Sequence, residues 1–149
     1  MGDRLSGRVA IVTGAGMGIG RGIARRLARE GAAIVVAELR EDRGDRTVRE
    51  LTEELGAPAR FVAADVSRRD DVERMVATTV EEFGRVDILV NNAQTFTELV
   101  PLEEKTDAMM AASLESGPWA TFWAMQAVFP HMRDEHYGRI SATVDPGAD

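Results

Sequence analysis

Five short apolar runs, separated by longer stretches of helical periodicity, confine this chain to a narrow set of folds. The runs cover residues 8–12, 32–37, 59–64, 86–90 and 138–144, and the last is the weakest. They are continuous rather than alternating, which suits strands covered on both faces, as in a parallel sheet. Between the third and fourth runs, Val72, Met75, Val76, Thr79, Val80 and Phe83 form one apolar helical stripe. Ser67 and Asp70 have capping-box spacing ahead of it, and Gly84 is a natural stop. Val48, Leu51 and Leu55 make a narrower stripe that ends at Gly56, with Pro58 beyond. A long helical stretch runs over residues 106–132, where Gly117-Pro118 is expected to bend or break it. Strict alternation of strand and helix implies right-handed crossovers and a three-layer α/β/α domain. Its doubly wound parallel sheet has about five strands in the order 3-2-1-4-5. Ligands of such sheets bind beyond the carboxyl ends of the strands, here residues 13–20, 38, 65–66, 91–94 and 144–147.

The first of those ends is the most informative. Thr13-Gly14-Ala15-Gly16-Met17-Gly18-Ile19-Gly20 joins the first apolar run to a helical stretch. Glycines let the backbone turn sharply and approach a ligand, and a helix N-terminus offers unpaired amides and a positive dipole end to a phosphate. The common G-x-G-x-x-G spacing fails at Ile19. A G-x-x-x-x-G-K-[ST] phosphate loop is excluded because the sole lysine is Lys105. What fits is T-G-x-x-x-G-x-G, so the chain reads as a Rossmann-like nucleotide binder.

Composition narrows the function classes. A formal charge of -7 argues against a nucleic-acid surface, which needs clustered basic residues. Arg25-Arg26, Arg29 and Arg68-Arg69 lie among acidic neighbours and read as solvated helix faces. No apolar run approaches the roughly 20 residues of a membrane span. With no cysteine and no apolar signal core, the expectation is a cytoplasmic protein without disulfides or thiolate metal sites. His131 and His136 fall on different helix faces with no carboxylates to match, which suits solvated or capping roles and no metal.

Four motifs in order then resemble the short-chain dehydrogenase/reductase family: the glycine loop, Glu38 ending the second run, Asp65-Val66 after the third, and Asn91-Asn92-Ala93 after the fourth. The resemblance implies a single NAD(P)-binding Rossmann-like domain over residues 1–149, and an oxidoreductase of alcohols and carbonyls. It implies cofactor contacts at Thr13, Gly14, Gly18, Ile19 and Gly20 around the diphosphate. Glu38 would take the adenosine ribose, Asp65 and Val66 the adenine, and Asn91 and Ala93 the neighbouring ribose while fixing the central strand. Glu38 would repel a 2′-phosphate, so NAD is favoured over NADP, although Arg40 and Arg43 stand close by. Read without the resemblance, Glu38 is a plain exposed carboxylate and Asp65 the start of a turn.

The same resemblance exposes departures. The family's chemistry needs Tyr-x-x-x-Lys, but the sole tyrosine, Tyr137, is followed four residues later by Ser141. The family's serine falls on Asp145, with Ser141 and Thr143 as substitutes only in another register, and its fourth-helix asparagine on Ser113. Gln94 stands where the family has glycine, predicting a crowded or rearranged loop. No catalytic residue is therefore assigned. The expectation is a partial domain, truncated or frame-shifted at the fifth strand and inactive alone. A bare sheet edge and exposed Phe122, Met125 and Phe129 would then favour homo-oligomers through helix 106–132. Two other readings stand beside it: a non-catalytic nucleotide-binding or oligomerisation module on the same fold, and an S-adenosylmethionine-dependent methyltransferase.

Overall fold

The computed structural model describes residues 2–143. Five parallel strands, β1 (Val9–Thr13), β2 (Ala33–Glu38), β3 (Ala59–Ala63), β4 (Ile88–Asn91) and β5 (Arg139–Ala142), lie in the order β3-β2-β1-β4-β5. The helices are α1 (Gly18–Arg29), α2 (Glu41–Arg49), α3 (Arg69–Phe83), α4 (Asp107–Leu114) and α5 (Ala120–Asp134). Strand order reverses between β1 and β4, which opens the crevice expected of a doubly wound sheet.

Period-2 alternation divides the core. Ala10, Val12, Ile34, Val36, Ile88 and Val90 face α1 and the π-helical turn Glu50–Glu54 that continues α2, meeting Ala24, Ala28 and Leu51. Ile11, Val35, Val62 and Leu89 face the other way, onto Val72, Met75 and Val76 of α3 and Ala124, Val128 and Met132 of α5. Along β1, β2 and β4 both faces are covered, which is why those runs contain little polar alternation, whereas β3 is only partly covered. Gly84 closes α3 in the left-handed conformation at φ 75°, and Gly56 does the same after the Val48/Leu51/Leu55 helix at φ 63°.

Three local expectations are corrected. Gly117-Pro118 does not break the long helix: α4 passes into α5 through a π-helical turn, Glu115–Trp119. The extra residue in that turn absorbs the amide that Pro118 lacks. Ser67 and Asp70 do not form a capping box. Helix α3 has no side-chain cap at Arg68, because the Ser67 amide and hydroxyl donate back to Asp65 Oδ1 at 3.0 and 2.6 Å. Arg25 is not a solvated charge either, since it pairs with Glu50, which is buried between α1 and α2 and also holds Arg21 at 2.6 Å.

The fifth strand is shorter than its apolar run, and all four of its residues are exposed. Phe122, Met125 and Phe129 are exposed along α5, as is Trp119 at the end of the π-helical turn ahead of it. Asp145 and the strand end at 144–147 lie outside the described residues. Among those described, no helix is long and apolar enough to cross a membrane, and no group of three or more His, Asp or Glu is arranged to hold a metal ion.

Candidate functional site

A cleft of about 390 Å³ opens at the carboxyl ends of the strands, where the order reverses. One wall is the β1–α1 loop. Gly14 takes φ 64°, where a side chain is strained, and an ideal Cβ there would lie 3.0 Å from Ala93 Cα. Gly18 takes φ 53° with open space above it. Helix α1 has no side-chain cap at Met17, and its first turn closes with the Arg21 amide on Met17 O at 3.1 Å. The amides of Gly18, Ile19 and Gly20 precede that bond and are the orphan donors of the helix. Gly18 and Ile19 line the cleft.

Gly20 does not line it. A Cβ at Gly20 would lie 2.3 Å from Gly14 O and 2.5 Å from Asn92 Nδ2, so this glycine lets α1 pack onto its own loop. Thr13 is likewise beneath the cleft. Its Oγ1 accepts from the amides of Asn92 and Ala93, both at 2.9 Å, and donates to Val90 O at 3.4 Å. Asn92, the middle residue of the Asn91-Asn92-Ala93 motif and without an expected role of its own, donates through Nδ2 to Thr13 O at 3.0 Å. Thr13 and Asn92 thus sew the ends of β1 and β4 together at the switch point.

The second wall follows β2 and β3. Glu38 is 8 % exposed, so the plain-surface alternative fails. Its Oε2 accepts from the Gly16 amide at 3.0 Å and its Oε1 from the Arg40 amide at 3.1 Å. Asp65 and Val66 are half-buried and line the cleft. Asp65 also builds the turn, accepting Ser67 on Oδ1, while its own amide donates to Asp71 Oδ2 at 3.0 Å. That amide bond holds the Asp71 carboxyl below its ordinary range; burial opposes the shift, and Arg74 adds to it.

The third wall is the segment after β4. Ala93, Gln94, Thr95 and Phe96 line the cleft, whereas Asn91 is buried behind it with Nδ2 unpartnered. The Gln94 amide turns toward Gly117, 3.5 Å from an ideal Cβ there, and the Thr95 amide donates to Ser116 Oγ at 2.9 Å. The extra bulk at Gln94 is thus placed against the π-helical turn. Arg43 and Met17 also face the cleft, joined by Arg43 Nη1 on Met17 Sδ at 2.9 Å, whereas Arg40 turns away to Asp42. Phe96 went unassigned in the sequence because an exposed apolar side chain carries no motif.

Neither partner of the expected catalytic pair is in this cleft. Lys105 donates to Thr97 Oγ1 and Glu98 O, at 3.1 and 2.8 Å. Tyr137 lies at the amino ends of the strands, with the Arg8 guanidinium 3.6 Å from its ring centre. There Arg8 and Arg85 converge on the fully buried Asp87. Burial would raise the Asp87 pKa, but the hydrogen bonds from Arg85, the Val9 amide and Arg8, with the Arg85 charge, hold it below the ordinary value.

The family model described as short chain dehydrogenase matches residues 8–144. The chain belongs to that family. It is 39% identical over 147 residues to the L-fucose dehydrogenase of Oryctolagus cuniculus, covering 99% of this chain and 50% of that one. Among solved structures, it is similar to an NAD+-bound xylitol dehydrogenase, with TM-score 0.90 and 32% identity over 95% of this chain and 54% of the other. It is also similar to L-sorbose reductase from Gluconobacter frateurii, complexed with NADPH and L-sorbose, with TM-score 0.89 and 34% identity over 95% of this chain and 54% of the other. The chain spans about half the length of these relatives. The short-chain dehydrogenase assignment covers the whole cleft, from the glycine loop to the segment after β4.

Proposed function

We propose that this chain is the dinucleotide-binding part of a short-chain oxidoreductase acting on alcohols or carbonyls, and that it binds NAD(H) in preference to NADP(H). The carrying observation is the uncapped amino end of α1, whose Gly18 and Ile19 open into a cleft bounded across from it by Glu38 and Asp65. A diphosphate fits orphan amides at a helix N-terminus. Gly14, Gly18, Ile19 and Gly20 would shape or supply that cradle. Glu38 would accept from the adenosine ribose, Asp65 and Val66 would hold the adenine, and Ala93 would border the far ribose. Thr13 and Asn91 would act from beneath, as strand-end supports.

The nicotinamide ring, when bound, supplies the hydride chemistry. The residues here supply binding and orientation, and with no Tyr-x-x-x-Lys the chain alone is not expected to turn over. A carboxylate at Glu38 disfavours a second phosphate beside it, which is the basis for preferring NAD(H). A second reading, self-association through α5, draws support from the exposed Trp119, Phe122, Met125 and Phe129.

Titrating purified protein with NADH, NADPH and S-adenosylmethionine, with Glu38→Ala as control, tests the proposal. NADH should bind more tightly than NADPH, and Glu38→Ala should narrow the difference. Tighter binding of the methyl donor than of either dinucleotide, or no binding of either at millimolar levels, would refute it.

A further inference from the structure

This inference rests on reading the cleft as a dinucleotide site and concerns what else Glu38 does there. Both of its oxygens are engaged by main-chain donors from different loops. Gly16 belongs to the β1–α1 loop and Arg40 to the segment between β2 and α2, and each amide reaches a separate oxygen, at 3.0 and 3.1 Å. The side chain therefore bridges the two walls.

Gly16 matches this arrangement. Its φ is not among the positive ones, so its backbone does not demand glycine. An ideal Cβ there would instead lie 2.6 Å from Glu38 Oε2, 2.8 Å from Glu38 Cγ and 2.7 Å from Arg43 Cβ. A side chain at Gly16 would push the carboxylate off the loop. Between the Ala15 amide, which reaches Ala37 O at 3.4 Å, and the Arg21 amide on Met17 O, the Gly16–Glu38 bond is the inward main-chain anchor among the described residues. The next glycine, Gly18, has no neighbour within 4 Å of an ideal Cβ. The part of the loop that would face the diphosphate is thus tethered by Glu38.

We infer that Glu38 is a positioning residue for the diphosphate cradle: by tying the Gly16 and Arg40 amides together it fixes the loop from which α1 presents its first donors. Accepting from the ribose is a separate contribution of the same side chain. The two separate by sign and by ligand. A carboxylate near a diphosphate repels it, so removing the charge alone would strengthen anion binding. Loss of the tether weakens it, and does so for ligands that carry no ribose hydroxyls.

The test compares ADP with 2′,3′-dideoxy-ADP by calorimetry on the wild type, Glu38→Gln, Gly16→Ala and the double variant. Glu38→Gln should weaken dideoxy-ADP about five- to tenfold, on the order of one lost charge-assisted hydrogen bond. Gly16→Ala, which leaves the carboxylate chemically intact, should act in the same direction. The double variant should be little weaker than either single one, because both break one contact. Amide exchange at residues 16 and 40 should speed up in Glu38→Gln without ligand. Unchanged or tighter dideoxy-ADP binding by Glu38→Gln, with ADP still bound, overturns the positioning role alone. If Glu38→Gln does not fold, unchanged dideoxy-ADP binding by Gly16→Ala overturns it instead. Failure of the wild type to bind ADP and NADH overturns the dinucleotide reading and this inference together.

Discussion

Replacing Thr13 with valine separates a strand clamp from a ligand contact. The threonine is 3 % exposed and does not line the cleft; its hydroxyl accepts two backbone amides at 2.9 Å. Valine keeps the shape and removes the acceptor, leaving the Asn92 and Ala93 amides without their partner. An amide so orphaned costs about 1–3 kcal/mol when buried. Both amides here are only partly buried, so each belongs at the low end, and an added methyl in an apolar site offsets about 0.5–1 kcal/mol. The expected net loss is about 1–1.5 kcal/mol, a measurable share of a typical domain's stability. Urea unfolding followed by far-UV circular dichroism measures it, and such a loss corresponds to a Tm fall of roughly 2–6 °C. Thr13→Ser, which keeps the oxygen, should lose less than half as much. If Thr13→Val and Thr13→Ser unfold at the same urea concentration, the hydroxyl does not hold β1 to β4 and the clamp is wrong.

Other expectations follow from equally specific contacts. Gly20→Ala would drive a Cβ to 2.3 Å from Gly14 O, a backbone atom that cannot swing away, and should lower stability by about 1–3 kcal/mol. NADH affinity should fall with it, and a variant as stable as wild type would contradict the packing. Asp87 titrates below its ordinary range in the folded protein, so its contribution is present above the unfolded pKa of about 3.9 and is lost as pH falls through the depressed folded value. Asp87→Asn should therefore be less stable than wild type at pH 7, and the gap should begin to narrow once pH falls below about 4 in urea titrations; a gap independent of pH counts against the ion-pair account. Phe129→Arg on the exposed face of α5 should shift any self-associated species toward monomer in sedimentation velocity without lowering the melting temperature, and an unchanged distribution would dismiss that face as an interface.

Much of the fold was legible because it follows from local periodicity. Continuous apolar runs between helical stripes specified a parallel sheet with a covered centre, and its strand order is one of the two common doubly wound orders, both of which obey the right-handed crossover rule. The glycine spacing placed the β1–α1 loop at the cleft for a similar reason, since backbone freedom is written in residue type. The departures arose where a side chain had competing partners. Ser67 had the spacing of a cap, but Asp65, two residues back, offered the better acceptor. Arg25 reads as a surface charge in sequence, but the π-helical turn after α2 delivers the buried Glu50 to it.

Sequence alone determined which residues could bend, alternate or lack a side chain, and it excluded a tyrosine–lysine pair by composition. The tertiary structure alone decided that Thr13 and Gly20 support the cleft from below while Gly14, Gly18 and Ile19 face it. It alone showed that Glu38 joins two loops. The reason is one of range: conformational preference acts over a few neighbouring residues. The partner of a hydroxyl or carboxylate is set by packing, which joined Thr13 to Ala93 across 80 positions and Gly16 to Glu38 across 22.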